Sequence, residues 1–125
     1  MALRIGLSAR VELHVTDEDT AAAFHSGDVP VLATPRLLAL CEEATCLALV
    51  GHLPEGTTSV AKRAQFDHLV PVRVGGDIRA EASLDRIQGR RLSFTVSASD
   101  ASGLVAAGKV SRVVVDREKF LESAR

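Results

Sequence analysis

Two adjacent glutamates, Glu42 and Glu43, interrupt the segment VLATPRLLALCEEATCLALVG at residues 31–51, which is otherwise largely apolar. On a helix, Glu42 has Leu38, Thr45, Cys46 and Leu49 as near neighbours, and Glu43 has Ala39, Cys46, Leu47 and Val50. Neither meets a basic residue three or four places away. A carboxylate without a cationic partner and partly withdrawn from water becomes a better base, suited to activating water or to attacking a carbonyl itself. A solvated strip carrying both side chains accounts for the pattern equally well, and periodicity does not choose between the two glutamates.

Three further residues offer chemistry of their own. His68, in QFDHLVPV, carries the side chain whose pKa lies nearest neutral pH; in a strand it serves as a base or as a hydrogen-bonded structural group. Thr34 precedes Pro35, and capping of the following helix by its hydroxyl explains that position by itself. Arg112, in KVSRVVVD, is a lone cation among strand residues that are mostly apolar. His14, His25 and His52 are scattered and set no metal-ligand spacing, so no metal or cofactor is expected. Gly75-Gly76 has no lysine and no following helix, which makes it a turn and not a phosphate loop.

The elements that must position these residues follow from patterning. SARVELHV alternates through Val11, Leu13 and Val15 as a strand with one buried face. TDEDTAAAF reads as a short helix capped by Thr16 or Asp17. The long helix starts at Thr34-Pro35 and stops near Gly51, with Leu37, Leu40, Cys41, Ala44, Leu47 and Ala48 forming the stripe that faces a sheet. From Thr57 onward TTSVAKRAQFDHLVPVRV, DIRAEASLDRI, RLSFTVSASD and GLVAAGKVSRVVVD read as consecutive antiparallel strands, with turns at Gly75-Gly76, at 88–90 and at 101–103. A single helix cannot cover such a sheet and its edges, so a homodimer is expected, with pairing into tetramers left open.

Composition narrows the function classes. The 125 residues make one domain spanning 1–125, enough to bury roughly two thirds of the unfolded chain's surface. With 46% hydrophobic and 25% charged residues the chain is a folded globular protein. Fifteen Lys and Arg against sixteen Asp and Glu, with no Trp or Tyr, leave neither the field nor the stacking platforms for nucleic acid. No signal peptide and no membrane span is evident. Cys41 and Cys46 match no zinc spacing and are expected as buried free thiols in a reducing cytoplasm.

The order VLATPxLLALxEEA, LxEGxTSV, a histidine inside the next strand, GxxIxAxAxL, GRRLxFxVxAxD and GLVAxGxxxRxVVDxxxF resembles the hot-dog fold thioesterases related to fluoroacetyl-CoA thioesterase, from about Val11 to Phe120. The resemblance implies an α+β hot-dog domain, a long central helix on a curved antiparallel sheet, that hydrolyses acyl-CoA as a homodimer with its sites near the interface. It puts catalytic roles on Thr34, Glu42 and His68, leaving Glu43 as a structural neighbour, and a further site position on Arg112; Arg112, Gly76 and Phe24 are the expected substrate contacts. CoA phosphates would meet Arg112, Lys62, Arg63 or Arg73. One departure matters: the fluoroacetyl-specific enzyme closes its pocket with aromatic lid residues, whereas HSGDVPV here has only Phe24 nearby, so selection of a fluorinated acyl group is not implied. A hot-dog enoyl-CoA hydratase and a non-catalytic acyl-CoA-binding dimer are the alternatives.

Overall fold

A computed structural model of the chain describes residues 2–125. Strand β1 (Ser8–His14) leads through a 3-10 turn (Asp17–Asp19) and a one-turn helix α1 (Ala21–Phe24) to the long helix α2 (Thr34–Leu49). Strands β2 (Thr57–His68), β3 (Asp77–Gln88), β4 (Arg91–Asp100) and β5 (Gly103–Asp116) follow, and a short helix α3 (Arg117–Ser123) ends the order. The five strands form one antiparallel sheet in the order β1-β3-β4-β5-β2. Among the described residues no helix is long and apolar enough to cross a membrane.

Alternation along the strands decides which face meets the helix. Ile78, Ala80, Ala82 and Leu84 on β3 are buried, as are Leu92, Phe94, Val96 and Ala98 on β4, while the residues between them face outward. Against this face α2 buries Leu37, Leu40, Cys41, Ala44 and Ala48. Leu47, expected on that stripe, is instead 46% exposed, and Thr45 and Leu49 are buried. The buried arc is therefore rotated toward Thr45, whose hydroxyl lies 3.4 Å from Arg112 Nη1 and donates to the Glu42 carbonyl at 2.6 Å.

Helix α2 packs mainly over β1 and β3 and only slightly over β2. Register places Ala61 opposite Arg112 and Ala64 opposite Val110, both buried, so Ala61 and Ala64 belong to the inner face. Both alanines are nonetheless exposed, and among the described residues no strand lies beside the far edge of β2. The polar outer face is satisfied differently: Lys109, Thr95 and Asp85 hydrogen-bond one another there.

Three boundaries differ from expectation. The segment read as one short helix is split, because Thr20 is extended, pairs with Leu32 in an isolated bridge, and then caps α1 by accepting from the Ala23 amide at 3.2 Å. The strand expected to run through VPVRV stops at His68. Proline at position 71 cannot extend a ladder, and the chain crosses to the segment before α2, where Leu32 N–H donates to the Val72 carbonyl at 2.8 Å and Val31 bridges Arg73. Finally, Arg117–Ser123 forms a helix that periodicity did not announce, capped by the Asp116 carboxylate accepting from the Lys119 amide at 3.0 Å.

Candidate active site

Helix α2 begins at Thr34 with Ala33 as its N-cap and Pro35 in its first turn. Thr34 is thus the first helical residue and not the cap it was expected to be. Its hydroxyl is free for another partner and lies 2.8 Å from His68 Nδ1. His68, last residue of β2 and paired with Ala106, shares the inner face. The crossover at 69–73 draws the strand end against the helix start, bringing together two residues 34 positions apart.

The pair lines an open groove of about 450 Å³. Its remaining walls include Ala21, Val29, Val31, Leu32, Leu69 and Pro71, with Ser26 as a further polar group. Nε2 of His68 is shielded from water and has no hydrogen-bond partner within the described residues. Leaving such an atom unpaired costs on the order of 1–3 kcal/mol, so it is poised for a group that completes the bond. When Thr34 donates to Nδ1, Nε2 carries the proton and is a donor; in the other tautomer Nε2 is a base. The Thr34 and Arg36 amides open α2 with no acceptor inside it, and the helix dipole adds positive potential at this end.

Glu42 does not join this pair within one subunit. It stands eight residues along the helix from Thr34, about 12 Å of axial rise, and does not line the groove. At about 100° per residue, Thr34, Thr45, Leu49 and Glu42 nevertheless fall on one flank of α2. Thr45 reaches Arg112 on β5, so that flank looks toward the uncovered inner face of β2. Glu42 is half-buried there, while Glu43 is exposed on the opposite flank. Among the described residues its carboxylate forms no ion pair.

The other expected contacts are placed elsewhere. Arg112 is 6% exposed, donating through Nε to the Ser59 hydroxyl at 2.8 Å and through Nη2 to the Ser59 carbonyl at 2.9 Å. Its guanidinium is thus an internal group and does not present itself on an open surface to a phosphate. Gly76 is a packing position: a Cβ there would stand 2.7 Å from Val72 Cγ1, and its carbonyl accepts from Val15 N–H at 2.9 Å. Phe24 is exposed beside the groove without lining it. Cys46 is exposed, contrary to expectation, whereas Cys41 is buried and its thiol is pushed up to about 11 by burial and then by the Glu42 carboxylate. Such a thiol is no nucleophile.

The residue missed from sequence is Asp19, which is 8% exposed. Its carboxylate accepts from the Thr16 amide at 2.8 Å and pairs with Arg36 Nε at 2.9 Å. The available signal was an arginine in the first turn of a helix, where the dipole disfavours a cation lacking an acidic partner.

The profile of the fluoroacetyl-CoA-specific thioesterase family matches residues 15–118. The chain belongs to that family. Fluoroacetyl-CoA thioesterase of Streptantibioticus cattleyicolor is 32% identical over 95 residues, covering 76% of this chain and 68% of the relative. A solved structure of a fluoroacetyl-CoA thioesterase superposes with a TM-score of 0.88 at 26% identity, covering 98% of this chain and 95% of that one. A hot-dog-like protein from Thermanaerovibrio acidaminovorans gives 0.88 at 28% identity, covering 96% and 89%. The α+β architecture is accordingly a hot-dog fold, and the family chemistry is hydrolysis of a thioester. The groove walls are mostly aliphatic, and no Phe, Tyr or Trp lines them among the described residues.

Proposed function

We propose that the chain is a homodimeric acyl-CoA thioesterase that splits a small or medium acyl thioester into a carboxylate and CoA, with Thr34, His68 and Glu42 as its working groups. The observation that carries this reading is the Thr34–His68 hydrogen bond at the groove, with Nε2 of the imidazole buried and unpartnered. Nε2–H, together with amides at the start of α2, donates to the carbonyl oxygen as it becomes an oxyanion. A carboxylate either attacks the carbonyl carbon, giving an anhydride that water hydrolyses after the thiolate has left, or removes a proton from the water that attacks directly. Collapse expels CoA thiolate, a far weaker base than an alkoxide, so protonation of the leaving group is not demanding.

Glu42 supplies that carboxylate from the second copy. In one subunit it lies too far along α2 from Thr34, yet it shares the flank that looks over the uncovered face of β2. A two-fold interface presents the same patch from both copies, so Glu42 of the partner subunit completes each Thr34–His68 pair. Arg112 supports this flank from inside through Ser59 and Thr45, and the exposed cations Lys62, Arg63 and Arg73 remain for the CoA phosphates. Two free cysteines suit a reducing cytoplasm. The aliphatic groove selects by acyl length and shape and lacks aromatic closure over a fluorinated group.

Free-thiol release across acyl-CoAs of graded length tests the reaction and the acyl range together. Change in enoyl-CoA absorbance without thiol would indicate hydratase chemistry instead, and saturable binding without turnover a carrier role. Mixing inactive Glu42→Gln and His68→Ala subunits tests the shared site. Random reassociation should restore about a quarter of wild-type activity, because half the dimers carry one intact composite site of two. No recovery in demonstrated heterodimers would put the carboxylate and the histidine of each site in the same chain.

A further inference from the structure

Thr34 can hold His68 only if the first turn of α2 is fixed by something else. The N-cap position, Ala33, has no side-chain oxygen to do it. Asp19 grips the helix start on both sides of Thr34: its backbone carbonyl accepts from the Ala33 amide at 2.9 Å and its Oδ1 accepts from Arg36 Nε at 2.9 Å. The far side of the same carboxylate is held by the Thr16 amide and, at 3.1 Å, by the Thr16 hydroxyl. Asp19 thereby brings a negative charge to the positive end of α2 and gives Arg36 the partner its position requires. Both side chains are largely withdrawn from water, at 11% and 25% exposure, where an ion pair keeps its geometry better than on an open surface.

From this arrangement we infer that Asp19 and Arg36 are positioning residues for thioester hydrolysis, a clamp that replaces the ordinary side-chain cap of α2 and so leaves the Thr34 hydroxyl to orient His68. The inference rests on the catalytic reading of Thr34 and His68 given above. Neither clamp residue touches the substrate; both act through the location of residues 33–36. Displacement of a positioned group by a fraction of an ångström to an ångström is enough to lower turnover substantially.

A double-mutant cycle in the full-length dimer tests the clamp. Arg36→Gln should lower kcat by about tenfold with KM within about twofold, since the loss is of orientation and not of substrate affinity. In the Thr34→Ala background the same change should lower kcat by no more than about twofold, because the group it positions is gone. Arg36→Lys, which retains a cation but not the guanidinium geometry, should recover part of the rate. Nitrogen chemical shifts of the His68 imidazole should move in Arg36→Gln toward those of Thr34→Ala. Equal fold losses of kcat in both backgrounds would make Arg36 merely structural and overturn the clamp while leaving the site reading intact. Wild-type His68 shifts in folded Arg36→Gln would overturn it independently of any activity. Full activity in Thr34→Ala would instead overturn the site reading, and the clamp with it.

Discussion

Glu42 and Glu43 have the same chemistry and adjacent positions, yet their surroundings differ: one is half-buried over the open side of β2 and the other faces solvent on the opposite flank. Glu42→Gln should therefore lower kcat by about 10² or more in a folded dimer, while Glu43→Gln stays within about twofold of wild type; steady-state kinetics with circular dichroism as a folding control decides between them. Thr34→Ala is expected to reduce kcat with little change in melting temperature, because the hydroxyl bonds His68 and caps nothing. A drop in stability of about 1 kcal/mol, the ordinary value of a lost cap, would restore the capping role. Arg112→Ala should raise KM for acyl-CoA and for a truncated pantetheine thioester by the same factor, as its guanidinium is committed to Ser59 and Thr45. A selective effect on the full CoA ester would assign it to the phosphates.

At the scale of elements, the segment before α2 is an ionisation-dependent tie. Burial on its own would raise the Asp19 carboxyl, but the Thr16 amide, the Arg36 side chain and the Thr16 hydroxyl hold it below its ordinary value. A carboxylate whose folded pKa is depressed contributes stability that is fully present above the unfolded value of about 3.9 and is lost as pH falls through the lower folded value. Asp19→Asn should lower the melting temperature at neutral pH and flatten part of the acid-side decline, read from thermal melts at stepped pH. The decline should not vanish, because Asp85 is also lowered: burial opposes this, and Thr95 and Lys109 outweigh it. Unchanged melts across the acid range would show that the tie adds nothing to stability. The split of TDEDTAAAF belongs to this scale as well. Every residue there tolerates a helix, and the break at Thr20 comes from its bridge to Leu32, a partner supplied by the crossover and invisible in local propensity.

For the whole molecule the deciding feature is the uncovered inner face of β2. Ala61 and Ala64 are small, exposed and on the side of the sheet that is buried elsewhere, beside a strand edge with no neighbour among the described residues. A second copy seated there would bury them and Glu42 together, giving a particle of twice 13.2 kDa by light scattering. Ala64→Arg should leave a folded chain but yield monomers and abolish turnover, since each site loses the carboxylate of the other copy. Active monomers would separate catalysis from assembly.

The sequence by itself determined the architecture, because both periodicities are strong: apolar residues at helical spacing through 37–48, alternation through β3 and β4, and turn residues at 75–76, 88–90 and 101–103. It also singled out the candidate site residues, through the rarity of unpaired carboxylates on an apolar helix and through a resemblance spread along the chain. Only the tertiary structure decided how those residues relate. The rotation of α2 that buries Thr45 in place of Leu47 depends on Arg112, from a strand more than sixty residues away. Ala33 and not Thr34 caps α2, with its amide held by the Asp19 carbonyl, and the meeting of Thr34 with His68 depends on where the chain leaves β2 ahead of Pro71. Propensity and period describe what one segment prefers in isolation, whereas each of these facts is a contact between segments whose separation in the chain carries no local signal.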